Sequence, residues 1–126
     1  MSLSVELEAL LARYPPEVRE LAVAVRGLVL ALRPDLEETL DEKAGLVGYG
    51  SGPGFKGLIF TLILSQGGVK LGLSPGAELA DPHGLLGGRG KVHRHLAFQT
   101  SSDLDRPGLA TLLEEAFRAW QARAIR

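Results

Sequence analysis

The chain of 126 residues has no cysteine, one methionine and one tryptophan. Without cysteine there is no disulfide, no thiolate metal site and no cysteine nucleophile, so any metal would have to be held by histidine and carboxylate alone. Long apolar runs are missing too. The apolar stretch Leu58 to Leu64 (LIFTLIL), broken only by Thr61, falls far short of the roughly 20 residues that a membrane helix requires. The opening residues, MSLSVELEALLARY, carry acids where a secretory signal needs bases, so a cytoplasmic protein with no membrane partner is expected. No G-x-S-x-G elbow occurs, and neither Ser65 nor Ser74 comes with a recognisable histidine and acid.

A strong net charge is also absent, the total being −1. The signs are nevertheless segregated along the chain. Residues 1–42 hold nine acids and four bases, residues 43–102 hold six bases and two acids, and the remainder balances. The middle therefore offers a locally positive face, but an excess of four bases there is too little for a dedicated nucleic-acid binder, which shows a dense Lys/Arg stripe.

What is present is an ordinary globular balance, 45% hydrophobic and 23% charged, at the length of one domain spanning residues 1–126. Its usage, rich in Leu, Ala, Arg and Gly, is that of a thermophile or a GC-rich genome. Leu7, Leu10, Leu11 and Tyr14 recur at helical spacing behind a capping Ser4. Pro15 and Pro16 interrupt them and open a second helix to Leu32, with Val18, Leu21, Ala22, Val25, Leu28, Val29 and Leu32 on its buried stripe. Short strands are expected around 37–40 and 46–49. LIFTLIL, apolar on both sides, reads as a central strand covered on two faces, and Ser65–Gly68 as a tight turn into VKLGL. A long connection, with one helical turn, leads to KVHRHLAFQ as the last strand. Asp103 or Asp105 then caps a C-terminal helix carrying Leu109, Leu112, Leu113, Ala116, Phe117 and Trp120. The expected fold is α+β: an antiparallel sheet of four or five strands with two N-terminal helices and one C-terminal helix packed against it.

Residues 87–95, GGRGKVHRH, are the densest cluster of candidate chemistry. A phosphate loop is excluded, because Leu85 stands where its first glycine belongs, Val92 where Ser or Thr should meet magnesium, and a strand follows instead of a helix. His93 and His95 project from one face of a strand about 7 Å apart, and with His83 or Asp81 they are candidate metal ligands, though two ligands make no site. Regular alternation puts Lys91, His93 and His95 on one face, where Lys70 joins them, and Arg94 on the apolar face. An inward guanidinium needs a carboxylate, and the acid-rich stretch Glu37, Glu38, Asp41 and Glu42 offers one.

The run Gly76, Leu79, Asp81, Pro82, Gly84, Leu85, Leu86, Gly88, Gly90, Lys91, Arg94, His95 resembles the YdhG-like family (domain of unknown function 1801). LVGYG and VKLGL upstream and SSDLDRPGLATLLEEA downstream extend the resemblance over about residues 5–122. It implies an α+β domain from a family largely without assigned activity, some relatives being described as frataxin-like iron chaperones. The chain carries Gly87 where an acid is usual, Arg89 where a small hydroxyl is usual and Lys70 where an amide is usual, all making the region more positive. The expectation is a module that binds a small anionic ligand without catalysis or cofactor, through Lys70, Lys91, His93, Arg94 and His95. Two alternatives are iron or metal handling through His93 and His95 with His83 or the acids of 35–42, and a homodimer through an exposed apolar face or strand edge.

Overall fold

The computed structural model describes residues 2–51, 57–88 and 93–125. Helix α1 spans Val5–Leu11 and helix α2 spans Pro16–Leu32. Ser4 caps α1, its hydroxyl accepting from the Leu7 amide at 3.1 Å. Pro16 starts α2, where its missing N–H costs nothing. Five strands follow: β1 (Glu37–Asp41), β2 (Leu46–Gly50), β3 (Leu58–Ser65), β4 (Gly68–Leu73) and β5 (Arg94–Phe98). Short 3₁₀ turns at Gly76–Glu78 and Ser101–Asp105 flank β5, and α3 (Leu109–Ile125) closes the chain.

The sheet is antiparallel throughout, with spatial order β1-β2-β3-β4-β5 equal to chain order. From β1 to β4 this meander follows from short connections, the tightest being the two residues Gln66 and Gly67 between paired Ser65 and Gly68. Alternation then decides the two faces. Val47, Tyr49, Phe60, Leu62, Val69, Leu71, Leu73, Leu96 and Phe98 point to the helices and form one core with Leu10, Leu21, Val25, Val29, Leu112, Leu113 and Ala116. No helix among the described residues is long and apolar enough to cross a membrane.

Three readings of the sequence are corrected here. LIFTLIL is not covered by helices on both faces. The register of β2 and β3 slips between Tyr49 and Gly50, so that Ile59 and Phe60 are both fully buried, while Leu58, Thr61 and Ile63 stay half-exposed on the other side. The last strand starts at Arg94, with His93 just ahead of it. Asp103 does not cap α3. Its carboxylate accepts from the Gln99 and Thr100 amides at 2.8 and 3.1 Å, closing a capping box on the 3₁₀ turn, and Pro107 and Gly108 intervene before α3 begins. Those two amides, Gln99 first, hold the Asp103 carboxyl below its usual range.

Candidate functional site

The helix-free outer face is organised by register into cross-strand rows. One row runs Asp41, Leu46, Ile63, Lys70, Ala97. The next runs Thr39, Gly48, Thr61, Gly72, His95, and a bridge from His95 to Gly87 continues it. This second row is short of side chains. A groove of about 480 Å³ lies along it, with Thr61 and Gly72 as its floor, Leu46 and Ile63 as one wall and Leu58 as the other. Ser74 and His93 stand at its end. The two glycines play different parts. A Cβ at Gly48 would sit 2.4 Å from Leu58 Cδ2, so this glycine lets Leu58 fold down over β2, whereas a Cβ at Gly72 would meet nothing nearer than 3.6 Å and its absence leaves open space.

The five cationic candidates separate in space. His93 is exposed and lines the groove. Lys70 is exposed on the same face, one row away. His95 shares that face, but its ring leans toward the bridging loop, where a Cβ at Gly87 or Gly88 would approach it to 2.9 or 3.3 Å. The glycine pair is thus a seat for an imidazole. Lys91 lies outside the described residues, as does Arg89. Arg94 faces the helix side, paired with Leu73, as alternation requires.

Among the described residues no acid meets Arg94, however. It sits at the margin of the sheet, half-buried, and its Nη1 donates to the His93 carbonyl at 3.1 Å. The expected ion pair with the 37–42 stretch does not form, because β1 and β5 are opposite edges of the sheet. Four spacings of about 4.8 Å separate them by roughly 19 Å. The same distance keeps the acids of β1 from sharing an ion with His93 and His95. Among the described residues no three His, Asp or Glu side chains gather for a metal. Asp81 spends both carboxylate oxygens on the Leu85 and Leu86 amides, at 2.8 and 2.9 Å, shaping its own turn with φ +45°. His83 packs beside Gly108 at the start of α3.

The buried cation among the described residues is Arg26 instead. It is only 8% exposed, its Nε donates to Glu38 Oε2 at 2.7 Å, its Nη2 reaches the Ser2 carbonyl at 3.1 Å, and the Tyr49 hydroxyl donates to the same Glu38 oxygen at 2.7 Å. The signal was in the sequence: Arg26 stands four residues from both Ala22 and Leu30, on the buried stripe of α2. Alternation splits the acidic stretch accordingly. Glu38 turns to the helices, Glu37 and Asp41 to the outer face, and exposed Glu42 meets Arg13.

No protein-family model, curated protein or solved structure matches the chain.

Proposed function

We propose that the domain binds a small molecule with an apolar body and an anionic head in the outer-face groove, and that it does so without catalysis. The groove itself carries this reading. A floor opened by Gly72, aliphatic walls from Leu46, Ile63 and Leu58, and a polar end made by Ser74 and His93 form the usual pattern of a ligand cleft, apolar surface with a few convergent polar groups. Lys70, one row off, adds positive potential along the same side. The YdhG-like resemblance belongs with this proposal, since Gly88 and His95, both in the run that carries it, lie together with Gly87 in the loop that flanks the groove's cationic end.

The test is thermal unfolding with phosphate, sulfate and short-chain carboxylates such as butyrate and hexanoate. A saturable rise in Tm is expected, greater for the carboxylates with longer chains, because the walls reward apolar length. His93→Ala should weaken binding about tenfold, equal to about 1.4 kcal/mol. No shift with any of these anions would end the proposal.

A further inference from the structure

The row Asp41, Leu46, Ile63, Lys70 reads as acid, apolar, apolar, base across four adjacent strands. Rotated by 180° about a line parallel to the strands and midway between β2 and β3, it becomes its own complement. Asp41 then lies over the partner's Lys70, Leu46 over the partner's Ile63, and the same contacts repeat on the other side of the axis. All four side chains project from the helix-free face, Lys70 exposed and the other three half-exposed.

We propose that two copies of this chain pack sheet against sheet through this face about that two-fold axis. The geometry suits it. Two sheets stacked face to face lie about 10 Å apart, a gap that an extended lysine and a short aspartate span together. The apolar pair at the centre is kept from water and the two ion pairs flank it, the arrangement of an isologous interface with an apolar middle and a charged rim. One oxygen of Asp41 accepts from the Ala44 amide at 3.1 Å, which holds the carboxylate at the end of β1. In the partner, β1 lies opposite β4, so β5 projects beyond the covered area. His93 and His95 therefore remain at an open mouth while the glycine row is roofed by its symmetry mate. The dimer does not depend on the ligand reading, since none of its contacts involves a ligand.

Charge exchange tests it. Asp41→Lys and Lys70→Asp are each prepared as the full chain, checked by circular dichroism and thermal melting, and examined by sedimentation velocity across a concentration series. The wild-type chain is expected to shift from monomer to dimer as concentration rises. Each variant alone brings like charges together at both sites, so its dimerisation should weaken at least tenfold. An equimolar mixture restores two attractive pairs, and a heterodimer should appear. Should Asp41→Lys fail to fold, Ile63→Glu takes its place, and the expected result is a monomer with the wild-type dichroism spectrum. A wild-type chain that stays monomeric at millimolar concentration overturns the proposal, as does dimerisation that neither Lys70→Asp nor Ile63→Glu weakens. Folded single variants that do not pair on mixing overturn the assigned axis.

Discussion

Tyr49 and Glu38 are bound twice. They are register partners in β1 and β2, and the Tyr49 hydroxyl donates to the Glu38 carboxylate at 2.7 Å on the helix side of the sheet. Arg26 completes the set from α2, so one carboxylate joins a helix to two strands. Removing different members should therefore cost different amounts. Glu38→Gln leaves the Arg26 guanidinium without its counter-ion and should lower stability by about 3 kcal/mol, the lower end for a broken buried pair because Glu38 retains some contact with water. Tyr49→Phe removes one hydrogen bond to a carboxylate that keeps its Arg26 partner and should cost about 1.5 kcal/mol. Urea denaturation of the two variants gives the comparison, and equal losses would contradict the ranking.

Burial, with the neighbouring Glu38 carboxylate second, raises the Tyr49 hydroxyl's pKa well above the ordinary tyrosine value. A folded-state pKa above the unfolded one means that the folded protein holds a proton the unfolded chain gives up. The associated stability is complete below about pH 10, the unfolded value, and is lost as pH rises through the folded pKa. Wild-type stability should thus fall steeply above about pH 10. The Tyr49→Phe curve should be flatter over the same range, as measured by urea unfolding at stepped pH.

The fold was largely legible because its signals are local. Helical spacing in α2 and α3, the glycine turn between β3 and β4, and alternation in β4 each specify an element without reference to distant residues. The site was legible only in part. Parity correctly separated Arg94 from Lys70 and His95, but it carried no information about which strands form the sheet's edges, and that alone keeps Arg94 from the acids of β1. The groove escaped detection for a related reason. Its residues come from β2, β3, β4 and the segment before β5, and they meet only through cross-strand register, which a one-residue slip near Tyr49 resets. Leu58 and Ile63, read as part of a strand covered on both faces, are walls of the groove.

Gly108 is constrained in two ways. Its φ of +82° is a conformation that other residues enter at a cost, and a Cβ there would lie 2.4 Å from His83 Cδ2. Gly108→Ala should lower stability by about 1–3 kcal/mol through strain and contact together. Adding His83→Ala removes the contact but not the strain, so it should recover part of the loss. A thermodynamic cycle over the two positions should show positive coupling, and full additivity would mean that the imidazole is not seated on this glycine.

Gly72 offers the opposite case, a glycine whose substitution should stabilise the fold and abolish the proposed anion binding. A Cβ there would have Thr61 O at 3.6 Å, Thr61 Cβ at 3.8 Å and Ile63 Cδ1 at 3.9 Å, all ordinary van der Waals contacts, and the residue lies within a strand. Gly72→Val removes the entropic cost of glycine and supplies a side chain suited to a pleated surface, so the ligand-free protein should gain about 0.5–1 kcal/mol. The two methyl groups occupy the groove floor beside Thr61, where the ligand's apolar body would lie. The anion-dependent rise in Tm should therefore disappear in a protein that melts above the wild type without ligand. Because stability and binding move in opposite directions, misfolding cannot account for the loss. A Gly72→Val protein that still responds to hexanoate as the wild type does would place the ligand elsewhere.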